Sequence, residues 1–168
     1  MKLLVFSDSH RILQPMLEAV QAHSPDMVLH LGDLLQDAAA LAAACPELPV
    51  ISVPGNCDGR TGEPPVRLLE LCGRRVLMAH GHLWQVKRGY ERAVSAARQA
   101  AADIVLFGHT HLAFCRDSCG LWVMNPGAIG SGRAMTFGVI VLEKEKTICY
   151  TVTNSSAAQG KTGGKRQC

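Results

Sequence analysis

The run MKLLVFSDSH, residues 1–10, sets four apolar residues at 3–6 directly before a Ser, an Asp and a His. The pattern recurs along the chain. Residues 27–31 lead into GD at 32–33, 50–53 into PGNCD at 54–58, 76–79 into HGH at 80–82, and 104–107 into GHTH at 108–111. Short aliphatic and β-branched runs of this kind predict buried strands. Between them, residues 13–22, 34–44 and 89–102 carry apolar positions at helical spacing, the last with Tyr90, Val94, Ala97 and Ala101. Strands alternating with helices predict parallel β-α-β units. Ligands gather outside the carboxyl ends of such strands, so the five polar ends are expected to converge although they lie far apart in sequence.

After residue 110 the pattern changes. LAFCRD at 112–117, LWVMN at 121–125, TFGVIVLE at 136–143 and KTICYTVT at 146–153 are separated by turn residues such as Ser118, Gly120 and Gly130, with no room for helices. That half is expected to be antiparallel. A chain of 168 residues, 48% hydrophobic, can bury one substantial core, so we read a single domain over 1–153. The small, polar, glycine-rich stretch 154–168 is expected to be a disordered tail.

The net charge of +3 is modest and partly sits in the tail GKTGGKRQC, which argues against a dedicated nucleic-acid surface. Seven cysteines with no CxxC pair fit free thiols in a reducing cytosol. No segment is apolar enough for a signal-peptide core or a membrane span, so a soluble cytoplasmic protein is expected. Charge does not identify a protein partner, and assembly as a homo-oligomer is left open.

Asp8 and His10, like His109 and His111, are two apart, a spacing that in extended backbone points both side chains to one side. With Asp33, Asn56 and His80 they make two carboxylates, one amide oxygen and four imidazoles. Singly, such residues are turn and cap formers. Together they are an oxygen and nitrogen donor set suited to Mn, Fe, Zn, Co or Ni, with no thiolate required. Two divalent ions held by two carboxylates leave a strongly cationic site, which attracts an anionic phosphate ester. Paired metals also activate water and stabilise the attacking and leaving oxygens of an in-line displacement.

DxH at 8–10, GD at 32–33, GN at 55–56, HG at 80–81 and GHTH at 108–111, in that order and each after a strand, resemble the calcineurin-like metallophosphoesterases. The resemblance covers residues 1 to about 153. It implies a four-layer α/β/β/α sandwich of two mixed sheets flanked by helices. It also implies one metal on Asp8, His10, Asp33 and His111 and a second on Asp33, Asn56, His80 and His109, with Asp33 bridging. Catalysis would then rest on Asp33, Asn56, His80 and His109, around two divalent ions per chain, manganese first among them. The compact length and NPGAIGSGR at 125–133 are similar to the small phosphodiesterase branch, which shares its fold with a retromer subunit. The expected activity is phosphodiester hydrolysis by a metal-activated hydroxide attacking phosphorus in line. The alternatives are a phosphomonoesterase or nucleotidase, and a protein-binding scaffold that keeps the fold without catalysis.

Three further residues are candidates for substrate contact. Many relatives carry a His, paired with an acidic residue, directly after the metal-binding Asn to protonate the leaving group; Cys57 stands there, which favours diesters. His82 would touch substrate or orient His80, or stand as a solvated loop histidine. The turn at 125–127 either offers backbone amides, with Arg133, to a phosphate or is a plain hairpin connection.

Overall fold

Along the first strand the side chains alternate between two cores: Leu3 and Val5 enter one, Leu4 and Phe6 the other. A strand apolar on both faces has to be covered on both. The computed structural model, which describes residues 1–130 and 134–154, shows how. Its elements run β1 (Lys2–Phe6), α1 (Gln14–His23), β2 (Met27–His30), α2 (Leu35–Ala44), β3 (Val50–Ser52), β4 (Val66–Leu71), β5 (Arg74–Ala79), α3 (Glu91–Gln99), β6 (Ile104–Leu106), β7 (Phe114–Ser118), β8 (Leu121–Asn125), β9 (Thr136–Leu142) and β10 (Thr147–Thr153).

The strands form two five-stranded mixed sheets, ordered β10-β9-β1-β2-β3 and β4-β5-β6-β8-β7. Leu3, Val5, Leu29, Val76, Met78, Ile104, Leu106, Met124 and Ile140 fill the space between them. Leu4, Phe6, Val28 and Val139 on the outer face of the first sheet pack with Met16 and Ala19 of α1 and Leu41 of α2. Leu77, Val105 and Val123 pack with Ala93 and Ala97 of α3 on the outer face of the second. Three apolar layers between four structural ones give the expected sandwich.

The five strands expected from the apolar runs all form, but they divide between the sheets, with β1, β2 and β3 parallel in one and β5 and β6 parallel in the other. The apolar runs do not predict β4. Arg67 and Glu70 interrupt its sequence, and its exposure alternates because Leu69 and Leu71 face the core between the sheets while Val66, Leu68 and Glu70 face solvent; it is the edge strand, antiparallel to β5. The second half is not purely antiparallel either. β7 and β8 make the hairpin, yet β8 lies parallel to β6, and β9, which follows it, belongs to the other sheet. The 125–127 turn therefore opens a crossing between sheets, not a hairpin. Arg133 and residues 155–168 lie outside the described residues; of the tail expected over 154–168 only Asn154 is described, its amide bonded to the Met135 carbonyl at 2.7 Å.

Both sheets direct the carboxyl ends of their parallel strands to one place. The Val53 amide donates to the His30 carbonyl at 3.1 Å within the first sheet, and the Gly108 amide to the His80 carbonyl at 2.9 Å within the second. Across the gap, His80 Nδ1 meets the Leu31 carbonyl at 2.8 Å.

Candidate metal centre

The seven donor-bearing residues leave their strands by abrupt turns. Asp8, His10, Asp33, His109 and His111 all have left-handed backbone, with φ between 47° and 67°. The extended backbone expected for the Asp8–His10 and His109–His111 pairs is therefore replaced by tight turns. Asp and His tolerate this region better than most residues, though each still costs roughly 1 kcal/mol. Glycines make the close approaches. A Cβ on Gly55 would overlap Asp33 Oδ1, so only glycine lets the β3 loop pass the carboxylate.

The turns bring the donors together. Oxygen and nitrogen atoms of Asp8, His10 and His111 lie within 4.8 Å of one another, as do those of Asp8, Asp33 and His80. Asn56 and His109 join the second group: His80 Nε2 is 3.1 Å from Asn56 Oδ1, 3.1 Å from His109 Nδ1 and 3.5 Å from Asp33 Oδ2. In the first group the Nε2 atoms of His10 and His111 approach to 3.5 Å. Asp8 is shared by the two clusters, and Asp33 reaches the second from the side of Cys57.

The placement of protons tests whether this arrangement fits a cation. A carbonyl only accepts, so His80 Nδ1 carries the hydrogen shared with Leu31. With that proton on Nδ1, the neutral imidazole has only a lone pair at Nε2 to turn toward an amide oxygen and a carboxylate oxygen, which are themselves acceptors. Asp8 Oδ1 is buried without a hydrogen bond, although it stands 3.0 Å from His111 Nε2. Lone pairs facing lone pairs repel unless a cation lies between them, and nitrogen and carboxylate donors are what a divalent transition ion takes. The residues fit the metals that the motifs imply.

Electrostatics keep the donors available. Burial, reinforced by neighbouring His80, pushes His109 down to about 4, so its imidazole is neutral at pH 7. For Asp33, burial works to raise the carboxyl, but the Cys57 amide and the histidines outweigh it and hold it below the usual range. The Cys57 Sγ donates to Asp33 Oδ2 at 3.2 Å; that bond, then burial, raises the thiol above its ordinary value. His82 stands beside the cluster, its ring 5.5 Å from that of His80 and 6.2 Å from that of His109. Its Nδ1 is buried without a hydrogen bond.

Further residues support the site without a signature in the sequence. His30, buried at the end of β2, accepts at Nδ1 from the Gly32 amide at 3.2 Å, so its proton is on Nε2 and goes to Ser9 Oγ at 3.1 Å. The Ser9 hydroxyl then donates to Asp37 Oδ2 at 2.6 Å, which also takes the Arg11 amide at 2.8 Å. This chain ties the Asp8–His10 turn to α2. Asp58 accepts from the amides of Leu35 at 2.6 Å, Gly55 at 2.7 Å and Asp33 at 3.2 Å, capping α2 from another loop and fixing two site turns. Its position in the sequence points only to the shaping of its own turn. Asn125 donates to the Gly108 carbonyl and Thr110 Oγ1, both at 2.9 Å, and accepts from the Gly127 amide at 2.9 Å. With the Ile129 and Gly130 amides on the carbonyls of Ser7 and Asp8, this turn clamps the donor loops and commits those amides to protein. The sequence signal for these residues is weak because each acts through backbone amides.

This scaffold is open to two tests. Asp37→Ala strands a buried hydroxyl and the Arg11 amide, and urea denaturation is expected to show about 2–3 kcal/mol lost. Burial brings His30 down to about 4, against the opposing pull of Asp37 and Asp8. A histidine with a lowered folded pKa contributes stability that is present above the unfolded value near 6.5 and lost as pH falls toward about 4. In EDTA, wild-type stability is expected to fall across that window, His109 contributing to the fall as well, and the His30→Gln variant to fall by about 3 kcal/mol less than wild type.

The comparisons with known proteins agree with this geometry. Residues 1–147 match the family model for the calcineurin-like phosphoesterase superfamily domain. The chain is 30% identical over 151 residues to the probable metallophosphoesterase YsnB of Bacillus subtilis, covering 86% of each protein. It is 26% identical over 167 residues to the phosphodiesterase YfcE of Escherichia coli, covering 83% of this chain and 87% of that one. Among solved structures, a predicted phosphoesterase from Streptococcus pneumoniae superposes with a TM-score of 0.76 at 25% identity, over 92% of this chain and 90% of the other. No helix among the described residues is long and apolar enough to cross a membrane. With the family model spanning most of its length and the donor turns in the family's order, the chain belongs to the calcineurin-like metallophosphoesterase superfamily, in its small YfcE-like branch.

Proposed function

We propose that this chain is a binuclear, metal-dependent phosphodiesterase. The observation that carries the proposal is the convergence of Asn56 Oδ1, His109 Nδ1 and Asp33 Oδ2 at 3.1–3.5 Å from His80 Nε2, a nitrogen and oxygen set that a divalent cation fits. Asp8, His10 and His111 would hold one ion and Asp33, Asn56, His80 and His109 the other, with Asp8 within reach of both in place of the bridging Asp33 that the resemblance implies. Manganese is the first ion to test, and Ni, Zn, Fe and Co suit the same donors. When bound, such a pair lowers the pKa of water and stabilises the charge that develops on a phosphoryl group in line. The chain's own part is to present four imidazoles as donors and to limit the carboxylates to two, so that the site stays cationic toward a phosphate ester.

Cys57 bears on the choice between diester and monoester. It is exposed at the site, and its thiol is held protonated by Asp33, so it is neither an activated nucleophile nor an effective acid at pH 7. An ester whose leaving group departs with little protonation suits such a site.

The test is hydrolysis of bis(p-nitrophenyl) phosphate and p-nitrophenyl phosphate by the manganese-loaded protein, alongside elemental analysis. We expect about two metal ions per chain, diester turnover at least about tenfold above monoester, and loss of both with EDTA. Cys57→Ala is expected to keep diester turnover within about threefold, whereas Cys57→His, which places an imidazole acid beside the leaving oxygen, raises monoester turnover by about tenfold or more. A metal-loaded protein that hydrolyses neither ester would refute the proposal.

A further inference from the structure

Among the described residues six large apolar side chains are exposed: Ile12, Val66, Leu68, Leu83, Leu112 and Tyr150. Single exposed leucines are ordinary. Here, however, three of the six stand on the donor loops: Ile12 two residues after His10, Leu83 one after His82, and Leu112 one after His111. Leu83 and Leu112 are also the two most exposed, at 54% and 68%.

These loops meet. His10 and His111 approach to 3.5 Å, and the His82 ring packs beside His80 and His109. Neighbouring Cα atoms are only ~3.8 Å apart, so Leu83 and Leu112 begin one step from the imidazole cluster and Ile12 two steps from it. Their backbones are held in place: the Ile12 amide by the Ser9 carbonyl at 3.0 Å and the Leu112 amide by Thr110 Oγ1 at 3.2 Å. The donor loops thus present aliphatic side chains to solvent around a phosphate-attracting centre. The aromatic residue nearest in sequence, Trp84, is partly buried and packs against the outer core of the second sheet, as Tyr90 and Phe114 do, whereas the three exposed rim residues are aliphatic.

We infer that Ile12, Leu83 and Leu112 form a rim that receives an aliphatic ester arm, so that the substrate class is a phosphodiester with an alkyl group, not a nucleoside, on one oxygen. The inference rests on the phosphodiesterase reading, since a diester keeps one organic arm against the site while the other departs. Each methylene fully withdrawn from water is worth up to about fourfold in affinity, and against a half-covered rim roughly twofold.

The test uses ligands that need no turnover. Methyl-, butyl- and octylphosphonate and thymidine 5′-phosphate are titrated calorimetrically into the full, manganese-loaded chain. Affinity is expected to rise about tenfold from methyl- to butylphosphonate, and butylphosphonate to bind more tightly than the nucleotide. In the Leu83→Ser/Leu112→Ser double variant the rise is expected to shrink to about twofold, whereas Tyr150→Ser, on β10, keeps it whole. A flat response to chain length in the wild type, or tighter binding of the nucleotide, overturns the inference. So does a flat response combined with a dimer that sediments as a monomer once Leu112→Ser is made, which would assign the rim to contact between copies. Because binding is read without hydrolysis, failure of the phosphodiesterase reading shows in the ester assays and leaves the chain-length result to be judged on its own.

Discussion

Asp33→Asn is expected to lower kcat/KM for bis(p-nitrophenyl) phosphate by about a thousandfold or more, and to reduce bound metal from about two ions per chain toward one. The substitution is nearly isosteric. The new side-chain carbonyl could still accept from the Cys57 amide, which Asp33 Oδ1 takes at 2.9 Å, and the backbone amide at this position could still donate to Asp58, so the turn is expected to survive. What disappears is one of two negative charges set against about four positive ones, at a residue only 3% exposed. A buried cation that loses its counter-charge leaves. Thermal unfolding in EDTA separates the effect from misfolding: Asp33, held below the usual range in the metal-free fold, stabilises it modestly, so the variant is expected to melt only a few degrees below wild type there. Full activity with full metal content in Asp33→Asn would remove Asp33 from the machinery.

Gly108→Ala should be equally severe for a steric reason. A Cβ at residue 108 would overlap Ser7 Oγ and lie 2.8 Å from Asp8 Oδ2. Ser7 Oγ donates to that same Oδ2 at 2.6 Å, and the His109 amide donates to it at 3.1 Å, so one methyl group displaces the hydroxyl, the carboxylate and the amide that align both donor loops. Ser7 and Asp8 are fully buried and have nowhere to go. Overpacking of this kind costs about 3 kcal/mol or more. We expect a fall in melting temperature of about 10 °C and loss of measurable diester hydrolysis. A crystal structure or circular dichroism trace showing an intact, metal-loaded Gly108→Ala protein with normal turnover would contradict this account.

The donor positions are legible in the sequence because strand ends are where an α/β fold must change direction, and Asp8, Asp33, His80 and His109 each follow an apolar run that could only be buried. Assignment to two sheets is not legible from those runs, since β1 and β6 have the same two-faced apolar composition whichever sheet they enter. β4 is invisible for the opposite reason: in this edge strand Glu70 lies on the exposed face and a half-buried Arg67 on the other, so a charge breaks the apolar pattern on each face. The left-handed turns escape because spacing reports only that two side chains are close in sequence, not how the backbone brings them round. Asp37 and Asp58 carry no metal-ligand signature, since their partners are amides and a serine distant in the chain.

Those left-handed turns reach beyond catalysis. Five donor residues held at φ of 47–67° set roughly 5 kcal/mol of backbone cost against a domain whose whole margin is typically about 5–15 kcal/mol. Ions that bind only the folded chain offset that cost by mass action. On the proposed function, the lifetime of this protein in a cell is expected to follow metal supply: a shortage would silence existing molecules and, by returning them to a thinner folding margin, expose them to proteolysis, so that abundance and activity decline together.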